Sequence, residues 1–188
     1  MIDHGRQAPT KEAYQAHVGP MRATSVGWLR LASRDPRAAP LIQPNYLATE
    51  RDRWEMRQSV RLIREIFAQP AFDAYRGPEL APGDNIQTDE QLDAFIRAKC
   101  DSAYHPSCTC RMGAETDAAA VVDPQLRVRG LAGLRVVDAS VMPSIVSGNL
   151  NAPTIMIAEK ASDMIRGREP LPPATGVPVY QPDITKQR

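Results

Sequence analysis

None of the 11 glycines in this 188-residue chain falls in a Gly-x-Gly-x-x-Gly pattern. The strand-to-helix turn that holds a dinucleotide pyrophosphate is therefore not encoded here. No apolar run approaches the ~20 residues that a helix needs to span a bilayer. Met1 to Gln7 contain no apolar stretch and do not read as a secretory signal. Neither sign of charge is in excess. The 23 Lys+Arg and 22 Asp+Glu leave +1, which argues against a phosphate-tracking surface and against nucleic acid as a partner. Cysteine is scarce: Cys100, Cys108 and Cys110 are an odd set with a Cys-x-Cys spacing. That is a poor disulfide framework and fits a reducing cytoplasm. With His105 these thiols offer soft ligands, yet His-x2-Cys-x-Cys is not a common zinc framework, so no metal site is expected. Gly-x-Ser-x-Gly is missing too, which removes the nucleophile elbow of an α/β-hydrolase.

What is present suffices for one domain with a sizeable core, and 43% hydrophobic content is ordinary for a globular protein. Residues 14–33 read as extended. The alternation Val26, Trp28 and then Leu29, Leu31 slips by one, which predicts a bulge near Gly27. Thr49 caps a helix expected to run to about Gln69. Met56, Val60, Ile63 and Phe67, with Ile66 alongside, form its apolar stripe, Arg and Glu cover its other face, and Pro70 stops it. Thr88 and Gln91 form a capping box for a second helix with Leu92, Phe95 and Ile96 inward, ending between Cys100 and Tyr104. Residues 121–140 read as β-structure with a turn at Gly130 to Gly133 and a buried strand over 134–138. A third helix starts near Ala152-Pro153, buries Ile155, Met156, Ala158, Ala161 and Ile165, and ends at Gly167. From Glu169 the chain is Pro-rich and expected to be extended, docked or disordered.

Three short stretches carry the chemistry: His105-Pro106-Ser107-Cys108-Thr109-Cys110-Arg111-Met112-Gly113, Val136-Val137-Asp138-Ala139-Ser140, and Ser147-Gly148-Asn149-Leu150-Asn151-Ala152-Pro153-Thr154. They put a histidine, a strand end and a helix start in an order that suits alcohol oxidation by hydride transfer. Such a reaction removes a hydroxyl proton and a hydride from the adjacent carbon. The free N–H groups expected over Asn151 to Thr154 would favour negative charge at the helix start. Each residue also has a plainer reading. A lone histidine is more often a hydrogen-bonding group than a catalyst, and His4 and His17, which lack such context, are expected to be structural or surface groups. Asn149 after Gly148 suits a turn, Asp138 suits a cap, and the Pro153 helix suits a core.

Together these stretches resemble the C-terminal signature of the glucose-methanol-choline oxidoreductases, most closely their choline dehydrogenase branch. Gln15-Ala16-His17-Val18-Gly19-Pro20-Met21-Arg22, Ser25-x-Gly27-x-Leu29-x-Leu31-x-Ser33-x-Asp35-Pro36, Phe67-Ala68-Gln69-Pro70-Ala71-Phe72 and Tyr75-Arg76-Gly77 extend the likeness from about residue 15 to 173. The wider family more often has Gly where Cys108 stands. The resemblance implies an α+β fold: an antiparallel substrate-domain sheet backed by helices, plus the returning strand and helix of an FAD domain. It implies FAD as cofactor and choline, or a similar primary alcohol, as substrate. His105 is then the catalytic histidine, serving as base or proton shuttle, and Asn149 binds the substrate oxygen. Asp138, Ala139, Asn151, Ala152, Pro153 and Thr154 lie at the flavin. The expected division is 1–100 as part of the substrate-binding region, 101–168 as the catalytic segment and 169–188 as tail. With the glycine turn missing, the expected partner is a separately encoded N-terminal FAD-binding half, and the isolated chain is expected to be inactive. The alternatives are an enzyme for a different alcohol, or a non-catalytic remnant or subunit of a split enzyme. The expected location is cytoplasmic, with membrane association of the intact enzyme left open. A further expectation is exposed apolar surface around Ile155 and Met156.

Overall fold

Thr49 is extended (φ −92, ψ 149), and its hydroxyl accepts the Asp52 N–H at 3.2 Å. One of the donors left over at a helix start is thereby satisfied, and helix α1 (Glu50–Phe67) follows. The computed structural model of the chain describes residues 12–176, so His4 and the end of the Pro-rich tail lie outside the described residues. Pro70 cannot continue the α1 ladder and instead opens a short 3-10 turn over Pro70–Phe72. The Tyr14 ring packs edge-on against Phe67, with centroids 5.0 Å apart, and lies 5.8 Å from Phe72. Helix α2 (Asp89–Lys99) starts on the reciprocal Thr88–Gln91 capping box and closes at Cys100.

Helices α1 and α2 pack through Val60, Leu92 and Ile96, with Met56, Phe95 and Cys100 at the rim. Of the expected α1 stripe, Val60 is buried, Met56, Ile63 and Phe67 are half-buried, and Ile66 is exposed. The polar face also departs from expectation, because Arg57 is buried between the helices. Its guanidinium donates to Asp93 at 2.9 and 3.1 Å and to Glu50 at 2.8 Å, and lies 3.4 Å from Asp89. Burial is tolerated because carboxylates from both helices meet the charge.

Strands β1 (Trp28–Arg30) and β2 (Leu41–Gln43) form an antiparallel hairpin in which Leu29 faces Ile42. Register runs unbroken through Trp28 to Arg30, so the slip at Gly27 is not a bulge within the ladder. It marks a close approach instead: a Cβ on Gly27 would sit 2.1 Å from the Gln43 carbonyl oxygen.

The stretch expected as β-structure, 121–140, contains no regular strand. Isolated bridges join Met112 to Val122, Val122 to Val128 and Arg127 to Arg135. Leu126, Gly130 and Gly133 all take positive φ (63°, 77° and 74°), so the backbone turns before a ladder can lengthen. Leu134 is exposed rather than buried. Val122, Leu126, Val141, Met142 and Leu150 form a second core on which helix α3 (Asn151–Arg166) packs through Ile157 and Ala161. These two are four apart and share a face. Ile155, Met156, Ala158 and Ile165 point away and are exposed, contrary to the expected burial, although the apolar surface expected at Ile155 and Met156 is there. Gly167 ends α3 in the left-handed region, φ 66. No helix among the described residues is long and apolar enough to cross a membrane.

Candidate active site

The segment after His105 runs along the backbone of residues 139–141. Cys108 N–H donates to the Ala139 carbonyl at 3.3 Å, Cys110 N–H to Ser140 at 2.9 Å and Met112 N–H to Val141 at 2.8 Å. Ala139–Val141 is itself a 3-10 turn capped by Asp138. The Asp138 Oδ1 accepts the Ser140 N–H at 2.8 Å and also the Ser140 hydroxyl. Asn149 arrives from 44 residues further on, held by its neighbour Leu150, which is buried in the second core. The Leu150 carbonyl takes the Thr154 N–H at 3.0 Å and the Thr154 hydroxyl at 2.7 Å.

This convergence sets His105 Nε2 3.2 Å from Asn149 Oδ1. A protonated Nε2 donates to that oxygen; a bare Nε2 is met by the amide N–H₂ once the amide turns over. Beside the pair lies an open pocket of about 310 Å³, lined by Tyr104, His105, Pro106, Ala139, Leu150, Asn151 and Thr154. Four of the eight sequence-predicted site residues thus line one hollow, and Asn149 is bonded at its edge. Asp138, Ala152 and Pro153 are neighbours of lining residues without lining it themselves. Sequence reading missed Tyr104, Pro106 and Leu150; their adjacency to His105 and Asn149 was the available signal. A hollow of about 370 Å³ between Tyr46, Leu47, Arg53, Arg97 and Cys100 holds none of the predicted residues. Burial, helped by Asp101, pushes the Cys100 thiol upward and keeps it neutral.

Helix α3 begins without a side-chain cap, unlike α1 and α2. The expected row of free N–H groups over residues 151–154 shrinks to two. Pro153 has none, and that of Thr154 is taken by Leu150. Asn151 and Ala152 keep theirs free of the helix ladder, at its positive end. An electron-rich ring edge suits such a place.

His105 is also bracketed by strained backbone, with Tyr104 at φ 59 and Cys108 at φ 72. The glycine more usual at position 108 in the resembled family was the sequence signal for the second.

The fold thus sets a histidine–amide pair beside an uncapped helix start. The C-terminal model of the GMC oxidoreductases matches residues 23–158, and the chain belongs to that family. Among its relatives is human mitochondrial choline dehydrogenase, 64% identical over 182 residues, a match that covers 97% of this chain and 30% of that protein. Oxygen-dependent choline dehydrogenase 1 of Chromohalobacter salexigens is 56% identical over 171 residues, covering 91% and 30%. Among solved structures, pyridoxine 4-oxidase from Mesorbium loti superposes with a TM-score of 0.74 at 34% identity, over 79% of this chain and 29% of that one. Aspergillus oryzae RIB40 formate oxidase, studied for FAD modification, gives 0.70 at 31% identity, over 75% and 24%. The chain spans about 30% of the length of the curated relatives it matches.

Proposed function

We propose that the chain supplies the proton-handling side of an FAD-dependent site that oxidises choline, or a similar primary alcohol, to the aldehyde. The observation that carries this reading is the His105 Nε2–Asn149 Oδ1 approach of 3.2 Å beside the start of α3. Asp138, Ala139, Asn151, Ala152, Pro153 and Thr154 would hold the flavin, with the Asn151 and Ala152 N–H groups toward its electron-rich edge. Bound there, FAD would supply the acceptor for the hydride of the carbinol carbon. His105 accepts the hydroxyl proton at Nε2 as the alcohol takes the place of the Asn149 contact. Asn149 turns its amide N–H₂ to the same oxygen and stabilises the charge that develops there. His105 is half-buried, so solvent can take its proton away afterwards.

The pyrophosphate needs a glycine turn that this sequence does not contain, so the partner we propose is an FAD-binding half that carries one. Residues 1–100 would then contribute to the substrate side and 101–168 to the flavin side. The three free thiols suit a reducing cytoplasm, with the intact enzyme either soluble there or membrane-attached.

The test is reconstitution with the FAD-binding half of a choline dehydrogenase, followed by choline-dependent dye reduction. The His105→Ala chain should retain flavin after desalting and lose about 10²–10⁴-fold in rate. Undiminished turnover in that variant would overturn the reading. A substrate profile in which another primary alcohol outperforms choline would keep the mechanism and change the substrate.

A further inference from the structure

Five non-glycine residues among those described take a positive φ, and two of them flank His105. Tyr104 immediately precedes it, at φ 59, with its N–H on the Ser102 hydroxyl at 2.9 Å. Cys108 follows three residues later, at φ 72. It stands where the chain leaves the rungs along residues 139–141, because its own N–H makes the first and longest of them, 3.3 Å against 2.9 and 2.8 Å. The Cys108 side chain is half-buried against the second core. Its thiol donates only to the adjacent Ser107 hydroxyl, at 3.2 Å, and Cys108 is not among the residues that line the pocket. What this residue gives the site is therefore a change of direction. A Cβ in the left-handed region is costly, so the conformation persists because both sides impose it: the rungs on one side and the His105–Asn149 contact on the other.

We propose that Cys108 is a positioning residue for His105 and that it acts through its left-handed backbone, not through its thiol. The proposal rests on the reading of His105 as the proton-handling group. It requires that glycine, which enters this region freely, do the work of Cys108, and that a β-branched residue fail to.

The experiment is NMR of the full 188-residue chain, which has three histidines, so the His105 ring is assignable from the signals lost in His105→Ala. The readout is the cross-peak between that ring and the Asn149 side-chain amide. Wild type, Cys108→Gly and Cys108→Ser should show it, whereas Cys108→Val should lose it while the shifts of α1 and α2 stay in place. Persistence in Cys108→Val, or loss in Cys108→Gly or Cys108→Ser, would overturn the proposal. Should Cys108→Val not fold, thermal midpoints decide. Cys108→Gly should melt about 2–4 °C above Cys108→Ala, because only the latter keeps a Cβ in the left-handed region. A Gly variant that melts no higher than the Ala variant would also overturn it. These measurements need neither FAD nor substrate, so their failure is separable from a failure of the His105→Ala activity test.

Discussion

Asp52 is nearly fully buried at the start of α1, and three hydrogen bonds converge on its carboxylate. Oδ1 accepts the Thr24 N–H and the Thr24 hydroxyl, both at 2.8 Å, and Oδ2 accepts the Ser25 N–H at 2.8 Å. Burial pushes this carboxyl up, but the bonds from Ser25 and Thr24 outweigh it and hold the group at about 2, against an ordinary 3.8. By linkage that difference is worth at most about 2 kcal/mol, and about 1–2 kcal/mol allowing for solvent at the helix start. Because the folded value is depressed, this stability is fully present above pH ~4 and is lost as pH falls through 2. Asp52→Asn removes the charge and turns an N–H₂ toward one of the donors, at a cost of about 2 kcal/mol at neutral pH. For a chain of this length the thermal midpoint, read by the fluorescence of Trp28 and Trp54, should fall by about 4–8 °C at pH 7. Wild type also weakens in acid through the ion-paired Glu50, Asp89 and Asp123, all held low by arginine partners, so the informative quantity is the gap between the two proteins. A protonated Asp and an Asn each present one carbonyl oxygen as acceptor and one donor group, O–H or N–H₂. The gap should therefore narrow to about half by pH 3. A gap under about 1 °C at pH 7, or one equally wide at pH 3, would mean that the charge on Asp52 does not stabilise the start of α1.

Arg57→Met keeps the apolar stem but strands Asp93, whose side chain is 25% exposed, while Glu50 and Asp89 can turn to water. The expected loss is about 2–3 kcal/mol by urea titration, below the full cost of breaking a wholly buried pair, and a midpoint at or above wild type would mean that desolvation outweighs the contacts. Gly27→Ala would place a methyl 2.1 Å from one backbone oxygen and 2.6 Å from the next, neither of which can rotate away. Amide exchange across β1 and β2 should speed up at least about tenfold, and unchanged protection would show that the hairpin can shift as a unit.

What could be read from the sequence was whatever depends on near neighbours. Thr49, the Thr88–Gln91 pair and Gly167 sit where the helix ends do, because capping is settled within four residues. Periodicity alone failed where partners decide. Arg57 looked like a surface residue until carboxylates from two helices closed on it. The face of α3 is set by Ile157 and Ala161, although Ile155 and Met156 are no less apolar. In 121–140 the β-branched residues suggested a strand, but the positive φ of Leu126, Gly130 and Gly133 breaks the run, and at Leu126 nothing in the residue type announces it. The site behaved the same way. Motif order nominated His105 and Asn149 across 44 residues, while the 3.2 Å between them is a product of the fold.

That product draws on only one of the two cores. Val60, Leu92 and Ile96 join α1 to α2, whereas Val122, Leu126, Val141, Met142, Leu150, Ile157 and Ala161 carry the rungs beneath His105, the anchor beside Asn149 and the seat of α3. The two clusters share no residue. Each arm of the site is tied to the second cluster separately: the His105 arm through Cys110 and Met112 to Ser140 and Val141, the Asn149 arm through buried Leu150. Strain at Cys108 is sustainable because both arms end on the same rigid base, so relaxing the twist would have to lift rungs or displace Leu150. Asp52 and Arg57 both lie on α1, and their hydrogen-bond partners Thr24, Ser25, Glu50 and Asp93 are outside the second cluster. If the His105–Asn149 contact survives Asp52→Asn and Arg57→Met and yields to Cys108→Val, the geometry of the site belongs to the C-terminal core and not to the stability of the chain at large.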